Sequence, residues 1–137
     1  MSSLACCDCD EGMAGLPDES VSVIFTDPPY LGESYVAAYQ VLARHAGRVL
    51  LPGGYLVSYC PQFYLPEILR IFDGSGLAWF WLVAQVNSGA KAIVWSRHAM
   101  CAYKPIVIFQ KLPVSPPPRL FSDVISGARS KEFHPWQ

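Results

Sequence analysis

The chain of 137 residues is long enough for one hydrophobic core and too short for a second sizeable domain. With 52% apolar and 15% charged residues it is not a disordered chain, and a net charge of −1 offers no overall attraction to nucleic acid, so any such contact needs locally gathered cations. No apolar run reaches the ~18 residues of a membrane span, and the N-terminus lacks the basic and apolar regions of a signal peptide, which predicts a cytoplasmic setting with reduced cysteines.

In chain order, Leu4 to Cys9 reads as a short strand running into a turn at Asp8 and Asp10. Residues 11–16 suit one or two helical turns, stopped by Pro17-Asp18. Val21 to Thr26 is an apolar run that reads as a buried strand. Residues 34–51 place Val36, Ala37, Tyr39, Val41, Leu42 and Ala46 at helical spacing, with Tyr35 and Tyr39 as core residues, and Pro52-Gly53-Gly54 ends the helix. Residues 55–60 form a second strand. A helix over 63–72 follows, with Leu65, Ile68, Leu69 and Phe72 on one face, closed by Asp73-Gly74. Residues 77–86 and 106–110 are strands, and the mixed segment 87–100 lies between them. Pro113 to Pro118 reads as a polyproline spacer.

Strands alternating with helices at this spacing predict an α/β sheet with helices on both faces. The last two strands follow each other without a helix, which predicts an antiparallel hairpin. Residues 1–112 form the main unit, and 113–137 the spacer and C-terminal tail. Cys7 and Cys9 could open a metal site, but no second CxxC and no spaced His pair completes one, so no metal is expected.

The chemistry concentrates in Asp27-Pro28-Pro29-Tyr30, directly after the strand 21–26. A carboxylate accepts a hydrogen bond from an amino group, and a carbonyl held outward by two prolines accepts a second. The Tyr30 ring offers a flat face for an unstacked base. Asp and Pro are also common turn residues, so the four alone equally fit a strand-ending turn. Lys91, Arg97, His98 and Lys104 lie on or beside the hairpin, where they could meet a DNA backbone, although scattered surface charge fits them too. Arg119, Arg129 and Lys131 flank the spacer and could reach phosphate.

Several stretches together resemble the S-adenosylmethionine-dependent DNA amino-methyltransferases of the circularly permuted D-P-P-Y type. They are Asp8-Cys9-Asp10-Glu11-Gly12, Leu16 to Val21, Asp27 to Tyr30, Arg48 to Tyr55, Tyr103 to Phe109 and His134-Pro135-Trp136. The resemblance implies a partial Rossmann-like methyltransferase sheet, mostly parallel with a C-terminal antiparallel hairpin. It implies a site-specific DNA adenine-N6 methyltransferase of a restriction-modification or phage system, whose catalytic residues are Asp27, Pro28, Pro29 and Tyr30. It places Asp8, Asp27 and His134 on the cofactor side and makes DNA the partner. The alternatives are a cytosine-N4 enzyme, for which Ser in place of Asp27 would have been expected, or an inactive remnant serving only as a binding module.

In the permuted members, the cofactor half follows the His-Pro segment and brings a strand ending in a Phe-x-Gly-x-Gly loop, whose glycines admit the cofactor. No such loop is expected in this chain, whose only glycine pair, Gly53-Gly54, sits in a turn that starts a different strand. A longer natural protein or a complementary subunit is therefore expected. Without it, residues 21–26 form an exposed apolar edge that invites another chain or self-association.

Overall fold

The computed structural model describes residues 4–29, 34–87 and 91–127. The elements run α1 (Cys9–Ala14), β1 (Val21–Thr26), α2 (Ser34–Val49), β2 (Leu50–Tyr59), a 3-10 turn (Gln62–Tyr64), α3 (Leu65–Ile71), β3 (Leu77–Asn87), β4 (Ala92–Val94), β5 (Ala99–Cys101), β6 (Tyr103–Lys111) and β7 (Val124–Gly127). Five strands form one sheet in the order β1-β2-β6-β3-β7. β1 runs parallel to β2 and β7 parallel to β3, while β6 is antiparallel to both of its neighbours. Four strands thus share one direction, and β6 alone opposes them. The predicted hairpin is β3–β6, and the pair β4–β5 is a small antiparallel ribbon set within its connection.

The apolar stripe of α2 buries Tyr35, Tyr39, Leu42 and Ala46 against the sheet, and Ile68 and Phe72 from the α3 segment join them. From the sheet, Leu50, Leu56, Val107 and Phe109 meet this stripe. The rings of Phe72 and Phe109 pack 4.2 Å apart between centroids. Full burial of each such side chain is worth about 1.5–3 kcal/mol, so this seam holds the helices to the strands. α1 packs beside α2 on the same side, with Met13 against the core.

The expectation of helices on both faces is not met among the described residues. The opposite face carries Val23, Tyr55, Val57, Phe80 and Ile108, and Pro117 and Phe121 lie over it. Pro113 and Pro116 to Pro118 withhold amide donors and hold the strap extended, so the chain crosses this face without forming a helix. Its last residues add β7 to the edge of the sheet.

Two further expectations are corrected. Leu4 to Asp8 is not a strand: among the described residues none lies on the outer side of β1, so this segment has no ladder to join. Instead Asp8 caps α1, its carboxylate accepting from the Asp10 amide at 2.8 Å. Pro52-Gly53-Gly54 does not end α2, which passes directly into β2. These residues bulge from β2, where the register steps from Val21–Leu50 to Val23–Tyr55. Gly53 has φ +76, and a Cβ on Gly54 would lie 2.8 Å from the Leu51 carbonyl oxygen, so the pair serves the bulge.

Candidate active site at the carboxyl end of the sheet

Because β1 and β2 are parallel, both deliver their last residues to one end of the sheet. The register pairs Thr26 with Ser58, which brings Asp27 alongside Tyr59. Asp27 and Pro29 are exposed, and Pro28 between them is buried. The diproline is therefore anchored at its first ring while the carboxylate stands at the surface. Tyr30 lies outside the described residues.

The floor beneath is a buried hydrogen-bonded layer. The Tyr39 hydroxyl, from α2, donates to the Tyr59 carbonyl and pairs with Ser58 Oγ at 2.9 Å. Burial pushes the Tyr39 phenol up to about 12, and the negative charge of Asp27 contributes in the same direction. Tyr39 thus stays a neutral donor at any physiological pH. Beside it, the Tyr35 hydroxyl meets Cys60 Sγ at 3.9 Å. Burial raises the Tyr35 phenol far above its usual range and pushes the Cys60 thiol up to about 11. A neutral, rigid floor of this kind fixes the end of β2 and holds the neighbouring turn in place.

The antiparallel β6 begins where β2 ends, and this brings a cation to the same rim. Lys104 Nζ lies 5.7 Å from the Tyr59 ring centroid, and the Cys60 amide donates to the Pro105 carbonyl at 3.0 Å. Arg97, at the turn of the β4–β5 ribbon, stands 5.4 Å from the Phe63 ring centroid. His98 follows with φ +48, and Lys91 precedes β4; both are exposed. The fold thus gathers Asp27, Lys104, Arg97, His98 and Lys91 along one end of the sheet.

Sequence reasoning missed how sharply charge divides along the chain. Residues 1–73 carry nine Asp or Glu and three Lys or Arg, whereas residues 74–122 carry five Lys or Arg and no Asp or Glu. A count by segment would have shown it, where the net charge of −1 hid it.

Asp8 is not brought to this end. α1 is tied to the last turns of α2, which lead into the start of β2. Asp10 pairs with Arg44 at 3.2 Å and with His45 at 2.5 Å, and Arg48 reaches Asp18 at 2.7 Å. His134 lies outside the described residues.

The described residues do not form a cradle for S-adenosylmethionine. The letters Phe72-Asp73-Gly74-Ser75-Gly76 do spell Phe-x-Gly-x-Gly, but Phe72 is buried in the core at the end of α3. The two glycines, at φ +75 and +82, turn the chain into the start of β3, at the opposite end of the sheet from Asp27. The outer side of β1, next to Asp27, has no neighbouring strand among the described residues, and Val23 and Phe25 there are 51% and 65% exposed.

No protein-family model matches the chain, and no curated protein matches it in sequence. Solved structures do match it in fold. PvuII DNA methyltransferase, which is cytosine-N4-specific, superposes with a TM-score of 0.69 at 18% identity, covering 94% of this chain and 58% of that one. A candidate DNA modification methylase from Thermus thermophilus gives 0.65 at 19% identity, covering 88% and 66%. The SAM complex of M1.HpyAVI gives 0.59 at 14% identity, covering 91% and 63%. The sheet is thus a methyltransferase-like Rossmann fold. The chain spans between 58% and 66% of the length of these three structures.

Proposed function

We propose that this chain is the base-binding part of a DNA amino-methyltransferase, acting on adenine N6 with S-adenosylmethionine as methyl donor. The observation that carries the reading is the position of Asp27, exposed beside the buried Pro28 at the carboxyl end of β1 and next to a neutral buried floor. In open α/β sheets this end is where ligands bind. Asp27 and the Pro28 carbonyl accept the two amino hydrogens of an extruded base, and Tyr30 stacks on it. Withdrawing density from those N–H bonds leaves the nitrogen more nucleophilic, and no covalent enzyme intermediate is needed. DNA is proposed as partner because the cations of residues 91–104 border the same rim.

The cytosine-N4 reading has its own support in the superposition on the cytosine-N4-specific PvuII enzyme, since both amino groups present the same two hydrogens. For the methyl donor, the exposed edge of β1 is the natural seat of a complementary chain that brings the cofactor cradle.

The deciding experiment is transfer of a labelled methyl group from S-adenosylmethionine to DNA, alongside calorimetry with the cofactor. Mass analysis of the nucleosides separates N6-methyladenine from N4-methylcytosine. Asp27→Ala is expected to abolish transfer while leaving the fold intact. Full turnover by that variant ends the catalytic assignment, and no binding at millimolar cofactor removes the claim that this chain is an active enzyme without a complementary chain.

A further inference from the structure

The β4–β5 ribbon carries more than phosphate-binding cations. Its strands are three residues each, joined by the turn Trp95–Arg97. Trp95 is 75% exposed at that turn, Met100 is 62% and Ile93 45% exposed, and Ile93 and Met100 are cross-strand partners. A two-stranded ribbon this small holds no core of its own. Exposing its largest side chains has a cost that ordinary surface loops avoid.

Three observations say what these side chains meet. The ribbon and its flanks, residues 91–104, carry Lys91, Arg97 and Lys104 and no Asp or Glu, so the matching surface is an anionic one. It is seated firmly, because its turn residue Arg97 stacks over Phe63 and the adjoining β6 places Lys104 over Tyr59. It also rises from the same end of the sheet as Asp27. From β1 to β6 is two strand spacings, about 10 Å.

We propose that Trp95 is a wedge that occupies the gap left in duplex DNA when the target base is extruded toward Asp27. Apolar side chains inserted between base steps offset unstacking, and an enzyme that takes a base out of the stack must meet that cost somewhere. In this arrangement Arg97 and Lys104 hold the flanking phosphates. This inference rests on the DNA-methyltransferase reading and adds a positioning residue to it.

The test uses the full chain and fluorescently labelled duplexes at low salt. One duplex is fully paired, and its twin carries a pyrene nucleotide opposite a central adenine, which fills the gap chemically. Base stacking on an aromatic ring is worth about 1–3 kcal/mol by alanine substitution, so Trp95→Ala should bind the paired duplex roughly fivefold to a hundredfold more weakly. Trp95→Phe should keep most of the affinity, and the pyrene duplex should restore binding by Trp95→Ala. Trp95 is exposed, so unchanged thermal unfolding is expected of both variants.

Equal binding of all duplexes by Trp95→Ala and the parent chain overturns the proposal. So does a loss that pyrene does not restore, which would make Trp95 a backbone contact. A change in self-association without a change in DNA affinity would make the tip a protein contact and overturn it as well. Failure of the parent chain to bind any duplex removes the DNA-methyltransferase reading itself, whereas the other failures leave that reading standing.

Discussion

Gly47 sits in the last turn of α2 and offers a test in which two physical effects have opposite signs. By helix propensity alone, Gly47→Ala should stabilise the chain by about 1 kcal/mol, because alanine restricts the unfolded chain and favours the helix. The structure predicts the reverse. A Cβ at position 47 would fall 2.0 Å from the Ser75 carbonyl oxygen and 3.2 Å from its carbon, in the backbone turn between α3 and β3. Ordinary contact for such atoms begins near 3.4 Å, so α2 or the turn must retreat by more than an ångström. Neither moves easily. The turn is held by Ser75 Oγ donating to the Phe72 carbonyl at 2.7 Å, and Ala46 and Val49 flank Gly47 in the core. Overpacking of this kind costs about 1–3 kcal/mol, and rigid backbone on one side places it at the upper end. Subtracting the propensity gain leaves a net loss of roughly 2 kcal/mol, which for a chain of this size lowers Tm by about 6–10 °C. Thermal unfolding followed by circular dichroism measures it. A Gly47→Ala variant as stable as the parent, or more so, would refute the close packing of α2 on the 74–76 turn.

Two other expectations concern ionisation. The His45 hydrogen bond, with help from Arg44, holds the Asp10 carboxyl below its ordinary value of 3.8, against a smaller opposing effect of burial. A carboxyl lowered in the folded state contributes stability that is fully present above pH 3.8 and is lost as pH falls through its lower folded value. Asp10→Asn should therefore be less stable than the parent at neutral pH, with the gap closing below pH 3.8; acid titrations of both that run parallel throughout would contradict the pairing. For thiols, the Cys60 group, pushed up to about 11 and buried, should resist a disulfide reagent until the chain unfolds. The exposed Cys6, Cys7 and Cys9 should react at once, and mass mapping that finds Cys60 modified early would show the floor of the site to be open.

Local signals in the chain were enough to find most elements. The helical spacing of Tyr35, Tyr39, Leu42 and Ala46 marked α2, and the apolar runs marked β1, β2, β3 and β6, because burial on one face leaves a period in the sequence. The strand-to-diproline junction at Asp27 was legible for the same reason: the apolar run and the turn residues are adjacent in the chain. Leu4 to Asp8 misled because a short apolar segment becomes a strand only when another strand is there to accept its hydrogen bonds. Pro52-Gly53-Gly54 likewise carries turn chemistry whether it ends a helix or bulges a strand. Gly74-Ser75-Gly76 shows the same limit, since a glycine turn at the start of a strand spells the letters expected at the end of one.

The carboxylate and diproline, the strand that presents them, and the cationic segment were all set down in the order of residues, and can be read there without coordinates. Which of these groups stand side by side was a matter for the folded chain. Inserting β6 between β2 and β3 is a choice among pairings that no local pattern encodes, because hydrogen bonding between strands is made by backbone and is nearly blind to side chains. That choice alone carries Lys104 to Tyr59 and sets the β4–β5 ribbon at the end of the sheet where Asp27 emerges.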